Sequence, residues 1–352
     1  MKPFSLLIPD TAFKHPAGRI RTGFYSDVYF SRTQKILERE GRRARVVMQI
    51  FCKEHALLCG VQEVLALLKQ QKPTGAPLKV RALKDGTGIR PWETVLTLEG
   101  EYRDFCTLET LILGILTRRT SIATQMRRLV QAASPKGVIY FGARFDHYLM
   151  QEGDGYAVRV GGALASSTPA TEYWFGREGT GTIPHGLIAA FQGDTTAAAL
   201  AFDRHIVSKI KRIVLVDFDN DCVGTALATA RVLGRKLWGV RLDTAENLTD
   251  RAITRARSRH RGVSPLLIRL VRRALDRAGF ARVKIIVSGG FNETRIRDFV
   301  RRKVPFDLVG VGSNVHRFRV DFTADVVSVN GRPCAKVGRR FRPNPRLKRV
   351  DV

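Results

Sequence analysis

Cysteine is sparse and scattered. The five residues Cys52, Cys59, Cys106, Cys222 and Cys334 show no CxxC spacing, which argues against a zinc site or a disulfide framework and leaves buried free thiols as the expectation. Long apolar runs are absent too. No segment reaches the roughly 18 uninterrupted apolar residues that a membrane helix needs, and residues 1–18 lack the charged-then-apolar order of a signal peptide. A cytoplasmic chain with no membrane partner is expected. Acidic residues are the third scarcity: 32 Asp and Glu face 60 Lys and Arg, a formal net charge of +28. Such a field attracts nucleic acid and equally concentrates small polyanions such as a diphosphorylated sugar. The basic stretches 251–277 and 339–349 hold one aromatic residue between them, Phe341, too few for the stacking surface of a single-strand binder. They read as a solvated helix face and a basic tail, so nucleic acid is not the expected partner.

What is present is the composition of a folded protein, 44% hydrophobic and 26% charged over 352 residues, enough for two domains. Residues 1–115 show helical spacing over 27–39, a strand at 45–51, a helix over 54–68 and strands at 78–83 and 94–98. That is an α+β domain with a short antiparallel sheet. A helical stretch from Leu108 then leads to a strand at 138–142. Val/Ile/Leu runs at 213–219, 237–243, 285–287 and 308–311, separated by helix-length segments, predict parallel strands buried on both faces. The alternation fits a doubly wound sheet or a β/α barrel. Gly-rich turns fall on the last two strands, where barrels often place a phosphate site, which favours an incomplete or irregular barrel. The expected organisation is α/β: an N-terminal α+β domain over 1–115, the barrel over 116–318, and a segment 319–352 that packs back on the first domain.

Ligands of parallel sheets bind at the strands' carboxyl ends. Ser288-Gly289-Gly290 lies between a strand and a helix, where glycines let N–H groups approach an anion, although Gly-Gly also serves a plain tight turn. Gly312-Ser313 repeats the pattern one unit later. Asp217, Asp219 and Asp221 alternate along a strand end, suited to Mg²⁺ or ribose hydroxyls; Asp221 is expected instead to cap the next helix. Arg241 and Asp243 share one strand face, either as a structural ion pair or as one cation and one anion offered to a ligand. His185 follows a Gly-Thr turn and a proline at the entrance of an apolar helix. An isolated histidine is more often structural, but this setting makes it a candidate ligand or phosphoryl acceptor. His147 is left without a role.

In order along the chain, residues 26–30 (SDVYF), 108–114 (LETLILG), 141–144 (FGAR), 161–163 (GGA), 166–168 (SST), 181–185 (GTIPH), the strand ends at Asp217, Arg241 and Ser288, then 310–313 (GVGS), 322–327 (FTADVV) and 335–339 (AKVGR) resemble the nicotinate phosphoribosyltransferase family, particularly its short archaeal-type members among the type II phosphoribosyltransferases. The likeness spans nearly the whole chain and rests on the ordered set. It implies that nicotinate and phosphoribosyl pyrophosphate give nicotinate mononucleotide and pyrophosphate, with Mg²⁺ and often with coupled ATP hydrolysis. It also implies roles. His185 would be phosphorylated by ATP, Tyr29 from a neighbouring subunit and Phe141 would sandwich the pyridine, and Arg241 would bind its carboxylate. Ser288, Gly289, Gly290, Gly312 and Ser313 would hold the 5′-phosphate, and Arg144 would form part of the anion site. Physical chemistry rather than the likeness adds that carboxylates such as Asp217 or Asp243 could stabilise a ribose oxocarbenium, and that Asp219 with Asp243 is the expected pair for Mg²⁺. A homodimer or larger homo-oligomer with shared sites follows, and no zinc. One departure is Arg144-Phe145, where members commonly have two arginines. The rivals are a related enzyme for quinolinate, which needs further cations, or for nicotinamide, to which Arg241 is poorly suited, and a basic nucleic-acid-binding barrel without activity.

Overall fold

Val46, Met48, Ile50 and Cys52 alternate along β1 (Arg45–Cys52) and all are buried, the period-two signature of a strand with a core face. In the computed structural model, which describes residues 8–352, β1 is central to a six-stranded antiparallel sheet. Its strands are ordered Arg332–Pro333, Phe322–Val329, β1, β5 (Thr94–Glu101), β3 (Lys79–Ala82) and Lys348–Val350. The C-terminal segment therefore packs back on the N-terminal domain, through Phe322–Val329 beside β1 and Lys348–Val350 beside β3. Helix Val61–Gln71 contributes Val64, Leu67 and Leu68 to the core beneath.

That helix begins later than its apolar spacing suggests. Gly60 sits at φ 101°, a left-handed geometry that interrupts a helix, and residues 56–57 instead form β2 (Ala56–Leu57), paired with β4 (Gly88–Ile89). The Asp85 carboxylate accepts from the N–H groups of Val61 (2.8 Å) and Gln62 (3.1 Å), which starts the helix at Val61.

The chain divides into two compact units, one holding residues up to 125, 156–161 and 318–352, the other 126–155 and 162–317. The boundary expected at 115/116 thus falls inside helix Glu109–Ala133. The stretch 156–161 joins the first unit, where the Tyr156 hydroxyl donates to Asp85 at 2.7 Å and accepts from Gln62 at 2.7 Å.

The second unit is a parallel sheet of six strands: β6 (Gly137–Tyr140), β7 (Ala165–Ser166), β8 (Arg212–Leu215), β9 (Leu237–Leu242), β10 (Lys284–Val287) and β11 (Leu308–Val311), in the order β7-β6-β11-β10-β9-β8. Pairing of β6 with the much later β11 is the adjacency a barrel requires. Closure is incomplete, since β7 and β8 remain edges. A strip at 180–183 hangs between them: the Thr180 N–H donates to Ser166 O (2.7 Å), the Ile183 N–H donates to Ile213 O (2.8 Å), and Ile183 bridges Val214. The fold is an incomplete β/α barrel joined to an α+β unit. β8 ends at Leu215, so Asp217, Asp219 and Asp221 lie on the loop beyond it. Four cysteines are buried free thiols, but Cys334 is exposed, because the short strand beside it pairs only along the sheet's rim. Among the described residues no helix is long and apolar enough to cross a membrane.

Candidate active site

The carboxyl ends of β6, β9, β10 and β11 surround a cavity of about 440 Å³. At its floor the strand alternation of β9 brings Arg241 and Asp243 together, Nη2 to Oδ2 at 3.2 Å. Arg241 Nε donates to Ser288 Oγ at 2.7 Å, and that hydroxyl donates to Asp243 Oδ1 at 2.7 Å. The guanidinium also lies 4.5 Å from the centre of the Phe141 ring. Arg241 is thus both the internal ion pair and the cation of the cavity wall. Burial pulls its pKa below the ordinary value, opposed by Asp243 and Asp217; a guanidinium keeps its charge nonetheless.

The two Gly-rich turns meet at the rim. Gly289 and Gly290 take φ of 88° and 65°, the left-handed geometry that needs glycine, at the start of helix Glu293–Arg301, which Asn292 caps by accepting from the Arg295 N–H at 2.9 Å. Among the described residues the N–H groups of Gly289, Gly290 and Gly312 donate to no protein acceptor. Unsatisfied donors at a helix start make an anion cradle. Asn314 Nδ2 donates to Phe291 O at 3.0 Å, tying the turn after β11 to the turn after β10. Gly312 has a second reason to be glycine, because a Cβ there would lie 2.5 Å from the Phe145 ring. At Gly310 a Cβ would collide with the Phe141 ring.

His185 stands beside this wall, two residues beyond the strip 180–183, whose Thr180, Gly181 and Thr182 line the cavity. Its Nε2 is 3.2 Å from Asp217 Oδ1. The hydrogen bond to Asp217 raises the imidazole pKa, burial opposes, and Asp217 and Asp243 add attraction.

Arg144, Phe141, Arg241, Asp243, Ser288, Gly289, Gly290, Gly312 and Ser313 all line one cavity. Of the two acids expected to hold a metal together, Asp243 lines this cavity, whereas Asp219, exposed on the loop beyond β8, lines a separate recess with Asp194, Asp221 and Arg251. Asp221 caps the following helix, accepting from the Gly224 N–H at 3.1 Å. Tyr29 belongs to the first unit, where it is exposed and its hydroxyl donates to Asp27 Oδ2 at 3.3 Å. Sequence reasoning missed Asn314 as the clamp between turns and Phe145 as cavity wall; only the position of Asn314 after the Gly-Ser turn signalled a role.

Known proteins carry the same architecture. Residues 27–120 match the family described as quinolinate phosphoribosyl transferase, N-terminal domain. Over 230 residues the chain is 31% identical to nicotinate phosphoribosyltransferase pncB1 of Mycobacterium tuberculosis, covering 64% of this chain and 47% of that protein; the match thus spans about half the relative's length. The crystal structure of nicotinate-nucleotide pyrophosphorylase from Pyrococcus furiosus superposes with a TM-score of 0.81 at 34% identity, over 99% of this chain and 86% of that one. The chain belongs to the type II phosphoribosyltransferases. Human nicotinic acid phosphoribosyltransferase shares the family's fold at 18% identity, with a TM-score of 0.66 over 88% of this chain and 75% of that one.

Proposed function

We propose that the chain is a nicotinate phosphoribosyltransferase of NAD biosynthesis, forming nicotinate mononucleotide and pyrophosphate from nicotinate and phosphoribosyl pyrophosphate. One observation carries the reading: a guanidinium fixed by Ser288 and Asp243 and lying on an aromatic ring shares a cavity with an anion cradle. A flat ring bearing a carboxylate suits the first, and a sugar phosphate suits the second. The pyridine nitrogen attacks C1 of the ribose while the bond from C1 to the pyrophosphate oxygen breaks, its electron pair leaving with pyrophosphate. Positive charge then builds on the ring oxygen and C1, which Asp217 and Asp243 are suited to stabilise. Mg²⁺ takes one or two carboxylates and fills its shell with phosphate oxygens; Asp243, the acid that lines the cavity, would hold it, and the ion would supply positive charge to the departing pyrophosphate.

ATP coupling falls to His185. With Nε2–H donated to Asp217, Nδ1 keeps its lone pair and is the nucleophile toward the γ-phosphorus, ADP leaving. Incubation with γ-labelled ATP is expected to give an acid-labile, base-stable label that His185→Asn abolishes; an unlabelled wild type removes the coupling. Homo-oligomers with Tyr29 supplied across subunits complete the reading.

Quinolinate is the second reading, favoured by the 34% identity to the Pyrococcus furiosus protein. Against it, Arg144 and Arg241 are the two basic residues lining the cavity, and Arg241 already faces Asp243. A second ring carboxylate would have Arg144 alone to meet it. Pyrophosphate release with phosphoribosyl pyrophosphate and nicotinate, quinolinate or nicotinamide in turn decides. Nicotinate is expected to turn over fastest; preferred quinolinate turnover with release of carbon dioxide would overturn the specificity.

A further inference from the structure

The cradle at Gly289-Gly290 is not vacant of charge. A Cβ placed on Gly290 would collide with Glu246 Oε1, so a carboxylate oxygen lies directly over the turn whose N–H groups lack acceptors. That carboxylate also faces Arg295, Oε1 to Nη1 at 3.5 Å. The two partners differ in freedom. Glu246 is 73% exposed at the side chain and is held by this one ion pair among the described residues. Arg295 is fixed: its Nη1 donates to Gly289 O at 2.8 Å, its Nη2 to Val263 O at 2.8 Å, and its guanidinium lies 4.2 Å from the Phe291 ring centre. Its half-burial lowers its pKa, an effect Glu246 opposes. A rigid, partly desolvated cation beside an anion cradle, paired with an exposed acid that it alone holds among the described residues, is the arrangement of a seat with an exchangeable occupant.

We propose that Arg295 is a further phosphate-contacting residue and that Glu246 is a stand-in for the phosphate, lying over the turn at Gly290 and paired with Arg295 until the phosphosugar displaces it. The inference rests on the phosphoribosyltransferase reading and adds a cost to it. Binding must break the Glu246–Arg295 pair, so the acid lowers affinity for every phosphosugar and leaves the pyridine side untouched. Selectivity follows: a dianionic phosphate outcompetes the carboxylate, and a weaker anion does not.

The test is titration calorimetry of the full chain with phosphoribosyl pyrophosphate, and with ribose 5-phosphate, on wild type and Glu246→Gln. Removing an exposed, singly paired acid is expected to tighten both ligands by about three- to tenfold, the range of a surface ion pair plus relief of like-charge repulsion, with nicotinate affinity unchanged. Equal or weaker binding in Glu246→Gln overturns the stand-in and makes Glu246 a ligand of the sugar or a bystander. Arg295→Lys keeps the charge but loses the hydrogen bonds to Gly289 and Val263, and is expected to weaken ribose 5-phosphate far more than nicotinate; unchanged phosphosugar binding, or an equal loss for both ligands, overturns the contact. If wild type binds no phosphosugar at all, the phosphoribosyltransferase reading itself falls.

Discussion

Arg241 is asked to do three things: pair with Asp243, donate to Ser288 and cover Phe141. Its free donors still face the cavity, so Arg241→Ala is expected to raise the KM for nicotinate by about 30- to 150-fold, roughly 2–3 kcal/mol for a lost charge-assisted contact. The KM for phosphoribosyl pyrophosphate should change far less; equal changes would remove the carboxylate role. His185 gives a pH prediction. Its pKa is raised by the hydrogen bond to Asp217, so the pair's stabilisation is complete below the unfolded value near 6.5 and fades as pH rises through the higher folded value. An NMR titration of His185 should therefore show a midpoint above 6.5, and Asp217→Asn should lower it. The melting-temperature gap between wild type and Asp217→Asn should shrink as pH climbs through that midpoint. A midpoint unmoved by the substitution would show that Asp217 does not set it.

At the scale of elements, the approach of β6 to β11 depends on the absence of a side chain at Gly310, over which the Phe141 ring lies. Gly310→Ala is expected to destabilise by about 1–3 kcal/mol, the usual cost of overpacking. Phe141→Ala in the same chain should recover part of it, and strict additivity would show that the two do not touch. The contrast explains what was legible in the sequence. The parallel strands were, because burial on both faces demands unbroken Val and Ile runs such as Ile285-Ile286-Val287. Arg241 with Asp243 was, because period two is a local rule. The start of the helix at Val61 was not, since it depends on Asp85, distant in sequence, and on Gly60. Phe145 over Gly312 and Glu246 over Gly290 were not legible either, because both arise from the ordering of strands in the sheet rather than from spacing along the chain.

At the scale of the whole molecule, many acids are spent on neighbouring arginines: Glu293 pairs with Arg297, and Asp298 with both Arg301 and Arg302. The surplus of +28 remains as a long-range field. For a substrate carrying several negative charges, kcat/KM is expected to fall as ionic strength rises from about 0.01 to 0.15 M, as the screening length drops from about 30 to 8 Å. The kcat at saturation should hold. Filter binding of RNA across the same salts gives the control: tight RNA binding with a steep slope at moderate salt would assign the field to nucleic acid instead.

The strip at 180–183 ties the segment that leads to His185 to the integrity of the sheet. Among the described residues it is the backbone link between the two open edges, through Ser166 on one side and Ile213 on the other, and His185 lies two residues beyond it. Amide hydrogen exchange at Thr180 and Ile183 therefore reports how often the barrel gapes. A phosphoryl group on His185, or a ligand against Thr182, would slow that exchange without touching either edge strand, turning a local covalent event into a change in the lifetime of the closed barrel.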